Sequence, residues 1–242
     1  MKYLVVIAHP EPTSFNGALL RHATSALVER GHEVVVSDLY AMGFDPVTGR
    51  GNFLDPADSQ RFDQQAEERI ASANGSFAPE LQAEMDKLAW CDVLVLQFPL
   101  YWMGMPAMLK GWIDRVFAIG CAYGGGHWFD RGLLGGRRAM LALTVGGTSA
   151  AYSPQGLYGL EIAQLLEPIQ RGVLGFAGFD VVEPYIAHAP SRVTREEREA
   201  MLDSYARRLI EIREAPVLPM PVSADYEGFV RKAQPSASVT AI

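Results

Sequence analysis

Cysteine is scarce in this sequence: Cys91 and Cys121 are the only two in 242 residues, and they form no CxxC pair. That spacing offers neither a zinc site nor a disulfide framework. No apolar run approaches the roughly 20 residues of a transmembrane helix. The opening MKYLVVIAHP is too short for a secretory signal and has no small-residue cleavage site. The expectation is a cytoplasmic protein without membrane insertion. Positive charge is not in excess: 21 Lys and Arg stand against 28 Asp and Glu, a net charge of −7. That balance argues against nucleic acid or an anionic membrane as the main partner. Internal repeats, low-complexity blocks and runs of like charge are absent. So is a GxGxxG after the first apolar run, which disfavours a standard Rossmann dinucleotide loop. No His, Cys, Asp and Glu cluster has the spacing of metal ligands, so no metal is expected.

What is present is the composition of a soluble globular protein, 49% hydrophobic and 20% charged. Strand-like runs alternate with helical patterns. YLVVIA (3–8) is apolar on both faces, as a central parallel strand should be. Thr13 or Ser14 can cap the following helix, whose apolar spacing runs through Phe15, Ala18, Leu19, His22, Ala23, Ala26 and Leu27 to Gly31. Further strands are read at 33–39, 92–100, 137–145 and 180–188. Helices are read at 79–91, 106–118, 157–178 with a kink at Pro168, and 194–213. Residues 40–78 show no clean period and form a long excursion, usually a functional feature of a compact domain. The proline-rich tail from 214 looks like an arm laid on a surface, frayed at its final SASVTAI. Five strands with crossover helices make an open, doubly wound α/β sheet, in either Rossmann-like or flavodoxin-like order.

In such sheets ligands bind beyond the carboxyl ends of the strands. Three segments leave those ends. AHPEPTSFN brings Thr13, Ser14 and Asn16 to a helix start, where N–H groups and hydroxyls hold phosphate; His9 can add a donor. FPLYWMG leaves the third strand at Pro99 and follows it with Tyr101, Trp102 and Met103, apolar faces for a flat ring. TVGGTSAAYSPQG lets the Gly146 and Gly147 amides approach a ligand, and Tyr152 can donate to charge developing on it. Each segment also reads as an ordinary cap, lid or turn. Together, at one sheet edge, they point to one ligand. Cys91 reads as core. Cys121 is without a catalytic assignment. His22, His32 and His188 read as core or surface residues, and Arg137-Arg138 as a solvated strand start.

The blocks AHPEPTSFN, SDLYAMGFDPV, FPLYWMGMPAMLKGWIDRVF, GGTSAAYSPQG and PIQRGVLGFAGF, in this order, resemble the NAD(P)H:quinone oxidoreductase (DT-diaphorase) family of flavodoxin-like flavoproteins. The resemblance runs from about residue 3 to about 213. It implies a flavodoxin-like five-stranded parallel sheet in the order 2-1-3-4-5 with helices on both faces. Residues 1–213 form the FAD-binding catalytic domain and 214–242 the C-terminal arm. It implies FAD rather than FMN, NADH or NADPH as hydride donor, and a homodimer with the flavin at the interface. His9, Thr13, Ser14, Phe15 and Asn16 would hold the pyrophosphate and ribityl region. Gln60 would reach the flavin of the other subunit. Pro99, Leu100, Tyr101, Trp102 and Met103 would line the N5 and O4 side of the ring. Thr144, Val145, Gly146, Gly147 and Tyr152 would line the N1 and O2 side. Arg198, with Arg195 as its rival, would lie near the adenine.

The chain departs from the family pattern in two places. A family histidine six residues after the tyrosine is Tyr158 here, and a phenol cannot become a cation, so a relay ending in imidazolium at that position is excluded. Tyr158 can still hold Tyr152. The wall CAYGGGHWFD keeps Tyr123 but carries Gly124, Gly125 and Gly126, which implies a wider or more mobile mouth flanked by His127 and Trp128. The expected reaction is ping-pong reduction of a quinone or similar flat acceptor by NAD(P)H, with Tyr152, Gly146 and Gly147 stabilising charge. The alternatives are a reductase of azo, nitro or other xenobiotic acceptors and a flavin-carrying regulatory subunit of an ion-efflux system.

Overall fold

A computed structural model describes residues 1–233. Its body is one parallel sheet with helices on both faces. β1 (Lys2–Ile7) pairs on one side with β2 (Glu33–Asp38) and on the other with β3 (Val93–Pro99). β4 (Arg138–Val145) adds to β3 in the register Pro99↔Thr144. The far edge is a fifth strand in two pieces, β5 (Asp180–Val181) and β6 (Tyr185–His188), both paired with β4. The strand order is therefore 2-1-3-4-5, the flavodoxin-like order. The break in the fifth strand falls at Pro184, which has no N–H to give to a ladder.

The alternation of side chains along each strand divides two cores. Tyr3, Val5, Val95 and Met140 pack beneath α1 (Phe15–Glu29) and α6 (Arg195–Ile210). Leu4, Val6, Leu94, Leu96 and Phe98 pack on the other face with Leu81, Trp112 and Leu166. Those three come from α3 (Pro79–Trp90), α4 (Ala107–Val116) and α5 (Ile162–Ile169). A polar thread crosses the first core. The wholly buried Tyr205 Oη donates to Gln97 Oε1 (2.9 Å), and Gln97 Nε2 donates to the Asn16 carbonyl (2.6 Å). Tyr205→Phe is expected to cost about 1–3 kcal/mol by orphaning the Gln97 oxygen. Urea denaturation measures it, and no change in midpoint would mean that Gln97 finds another donor.

Four expectations need correction. The excursion at 40–78 contains a helix, α2 (Gln64–Asn74), capped by Asp63 at its start and by left-handed Gly75 at its end. It shows no apolar period because two carboxylates anchor it. Buried Glu67 accepts from the Ala57 and Asp58 N–H groups, and buried Glu68 accepts from Ile119 N–H (2.8 Å). The helix expected from 157 starts at Ile162, after Glu161 and Gln164 form a capping box. Past Pro168 it widens into a π-helical stretch, Gln170–Gly175. The missing N–H of Pro168 frees the ladder there. His22, placed on the apolar stripe, is exposed and bonded to Asp203 at 2.9 Å. Arg137 and Arg138 are not merely solvated: they donate to the carbonyls of Ala89 and Cys91 and of Ile212 and Ala215, where helices end.

The segment after 213 follows the sheet edge. Leu218 N–H donates to the Val181 carbonyl (2.8 Å), and Ser223 bonds to Asp130. It then forms a small hairpin, β7 (Tyr226–Glu227) and β8 (Val230–Arg231). The final SASVTAI lies outside the described residues.

Candidate active site

The three turns leave the carboxyl ends of β1, β3 and β4, and Asn16 ties the first to the end of β4. In the first, Ser14 Oγ caps α1 by accepting from Gly17 N–H (3.2 Å), which settles the choice between Thr13 and Ser14. Thr13 instead gives its hydroxyl to the Glu11 carboxylate (2.6 Å), and those Thr13 bonds hold the Glu11 pKa below its usual value. His9 Nδ1 accepts from Glu11 N–H (3.0 Å), so in the neutral ring the proton sits on Nε2, a free donor for an anion. Asn16 is buried. Its Nδ2 donates to Thr144 Oγ1 (2.8 Å), tying the helix start to the end of β4, while its Oδ1 has no partner. Ser14→Ala is expected to cost about 1 kcal/mol in stability. It should also weaken an anion bound at this turn roughly tenfold. Thermal melts and ligand titration separate the two effects.

The second turn is strained. Trp102 and Met103 have φ of 48° and 61°, in the left-handed region that large residues avoid, and Trp102 is fully exposed. Tyr101 and Gly104 close the turn by exchanging backbone hydrogen bonds. In the third turn Gly146 is open, with no heavy atom near the position a Cβ would take. Gly147 abuts the Tyr152 ring. Tyr152 is buried, and its ring stacks on Tyr158 at 4.9 Å and 29°. Burial first, and then Tyr158, push the Tyr152 pKa up, so the phenol keeps its proton and is a donor at neutral pH. The Gly147 backbone works weakly in the opposite direction.

Leu100, Trp102, Met103, Gly146, Gly147 and Tyr152 line one cleft of about 670 Å³. A family model described as a flavodoxin-like fold matches residues 1–211. The chain is 41% identical over 207 residues to NAD(P)H dehydrogenase [quinone] 1 of Rattus norvegicus, covering 85% of this chain and 75% of that protein. The chain belongs to the flavodoxin-like quinone dehydrogenase family. Ribosyldihydronicotinamide dehydrogenase [quinone] of Homo sapiens is 39% identical over 218 residues, 89% of this chain and 94% of that one. The crystal structure of a quinone reductase from Klebsiella pneumoniae superposes with a TM-score of 0.87 at 38% identity, covering 90% of this chain and 87% of that one.

The residues present suit the flavin of such a dehydrogenase. The cleft has an apolar wall and a glycine edge open to a flat ring. The unpartnered Asn16 Oδ1 and the α1 N-terminus supply polar contacts beside it. Val145 lies beneath, buried in β4, and Phe15 packs into the core at the first turn of α1.

Other expected site residues are elsewhere. Gln60 is exposed in the loop before α2 and does not line the cleft. Arg198 turns back on the chain to donate to the Val193 carbonyl (2.7 Å), and Arg195 pairs with Glu199 (2.8 Å). Within one chain the wall after α4 is also separate. Tyr123 lines a cavity of about 240 Å³ with Glu68 and Phe176. Trp128 stacks on Phe176 (6.4 Å, 13°) and meets Phe229 (5.5 Å), lining a third cavity of about 410 Å³. Gly124, Gly125 and Gly126 have φ of 129°, 60° and 83°, so the run is dictated by a tight turn closed by His127 N–H on the Gly124 carbonyl. Cys121 lines a small cavity, and burial pushes its thiol up to about 11, which keeps it protonated and unreactive.

Sequence reading did not place two residues at the site, His188 at the end of β6 and Arg192 in the turn after it. Arg192 lines the cleft, and His188 packs beside Tyr152 with ring centroids 6.0 Å apart. Among the described residues Arg192 is the only ionised side chain in that lining. No motif marks either residue: they reach the site because β6 lies next to β4.

Proposed function

We propose that this protein reduces quinones with NAD(P)H through bound FAD, as a cytoplasmic homodimer. The observation that carries the reading is one cleft lined by the aromatic turn after β3 and the glycine turn after β4, with the capped start of α1 tied to the end of β4 through Asn16. FAD is preferred to FMN because the family resemblance extends through the 190–198 segment, where an adenine would lie. The flavin, when bound, supplies two-electron hydride chemistry between nicotinamide and acceptor. The protein's part is to bind and to stabilise charge. Ser14, His9 and the α1 amides would hold the diphosphate. Trp102 and Met103 would wall one side of the ring. Gly146, Gly147 and the Tyr152 hydroxyl would receive negative charge at its pyrimidine edge.

The homodimer reading rests on the separation of the Tyr123–Trp128 wall from the cleft in a single chain. A partner would bring its own Tyr123, Gly124, Gly125, His127 and Trp128 over the cleft, and Gln60 toward the other subunit's flavin. Exposed Trp102, Leu157, Val47 and Leu54 are surfaces that such a partner would cover. Because donor and acceptor would share one ring face, double-reciprocal plots should be parallel.

The test is to purify the protein, identify any released flavin by chromatography and titrate it anaerobically with NADH and NADPH. A flavin bleached by either donor and re-oxidised by a quinone supports the reading. A colourless protein that takes up no added flavin overturns it. Azo and nitro acceptors outpacing quinones would favour the xenobiotic reductase. Bound flavin that no donor reduces would favour the efflux subunit.

A further inference from the structure

Tyr152 has two ring neighbours. Tyr158 stacks on it at 4.9 Å, and the imidazole of His188 lies beside it at 6.0 Å and 49°. His188 ends β6 in register with Val145, the last residue before the glycine turn. Its ring therefore neighbours the glycine turn from the adjacent strand. Its Nδ1 is buried and makes no hydrogen bond. An orphaned buried nitrogen calls for an explanation, and none of the contacts described above uses it.

The titratable groups around it are few. Tyr152 lies beside it in the turn after β4, and Tyr158 stacks on Tyr152. Tyr185, at the start of β6, pairs with Tyr205 of α6 in the core on the other sheet face. Arg192 stands on the cleft lining beyond the turn. Among the described residues no carboxylate or cation sets the His188 pKa: burial lowers it, and the Gly147 backbone opposes that. A neutral imidazole in such surroundings responds strongly to one new charge nearby, because an adjacent anion favours its protonated form.

We propose that His188 is a positioning residue of this cleft, which holds the Tyr152 phenol toward the glycine edge and takes up a proton when negative charge develops there. This rests on the flavin reading above. The overall reaction, NAD(P)H plus quinone plus one proton to NAD(P)+ plus hydroquinone, needs a proton beyond the hydride. In the first half-reaction the hydride carries both electrons from the nicotinamide, and solvent supplies the proton held at the imidazole. In the second, hydride and proton pass to the acceptor, the proton through the Tyr152 hydroxyl to an acceptor oxygen. Tyr158, at the position where relatives have histidine, cannot store that proton, whereas His188 reaches Tyr152 from another part of the chain.

The test follows the His188 ring resonances by NMR in the flavin-loaded protein, oxidised and dithionite-reduced, with His188→Gln for assignment and comparison. Reduction should raise the His188 pKa. Across the pH range between its oxidised and reduced pKa values, the flavin midpoint potential should show one proton fewer per two electrons in His188→Gln than in the native protein. A His188 resonance that titrates identically in both redox states overturns the proposal, whether or not the variant folds. So does an unchanged pH dependence in a folded, flavin-loaded variant. A native protein that binds no flavin overturns the flavin reading itself, a result distinct from either of these.

Discussion

Arg115→Ala is expected to destabilise the protein by about 3 kcal/mol, the sum of two orphaned acceptors, one of them on buried Asn52, and lost packing. The Arg115 side chain is 4% exposed at the end of α4. Its Nε donates to Asn52 Oδ1 (2.8 Å), its Nη1 donates to the Asp45 carbonyl (2.6 Å), and its plane lies over Phe44 at 5.2 Å. These bonds pin the first half of the 40–78 excursion to the body. The Glu80 ion pair at 3.3 Å adds little, because Glu80 is 55% exposed and solvent screens it. The loss therefore comes from Asn52, which is buried, and from the Asp45 carbonyl. Thermal and urea melts measure it, with a fall in Tm of roughly 6–12 °C for a domain of this size. Glu80→Gln should lower the stability by less than about 1 kcal/mol. Equal effects from the two substitutions would place the stabilisation in the ion pair and contradict this account.

Tyr152→Phe is expected to slow hydride transfer by about a hundredfold, the scale set by removing one preorganised donor from a site where charge develops. The ring would remain, still stacked on Tyr158 and buried against Gly147, so fold and ligand affinity should change little. What goes is a single hydroxyl, kept protonated by burial and by Tyr158. Tyr158→Phe should cost far less, since Tyr158 is 39% exposed and contributes a stacked face. Stopped-flow measurement of flavin bleaching by NADH separates the two variants. A Tyr152→Phe rate within threefold of the native rate would leave the Gly146 and Gly147 amides as the sole stabilisers of that charge.

Much of this architecture is written in local pattern. The run at 3–8 reads as a central parallel strand and that at 92–100 as the third strand, and both are strands of the sheet. A serine before FNGALL marks a helix start, and long connections dictate crossovers. The rule that strand carboxyl ends face the site picks out three turns; the second and third line one cleft, and Asn16 ties the first to the end of β4. Where legibility failed, the stabilising interactions were polar or remote. α2 is anchored by Glu67 and Glu68, which hydropathy scores as surface. Arg137 and Arg138 end on helix carbonyls that no sequence window contains. Arg198 and Gln60, carried over from family resemblance, do not line the cleft of a single chain.

The sequence by itself determined the strand count to within the break at Pro184, the serine-capped helix start, and the aromatic and glycine turns. All of these depend on residues near one another along the chain. Only the tertiary structure decided the company Tyr152 keeps. β6 pairs with β4, and that pairing carries His188 and Arg192 to the glycine turn. Their arrival depends on strand order and register, which join segments far apart in sequence and leave no periodic mark on either one.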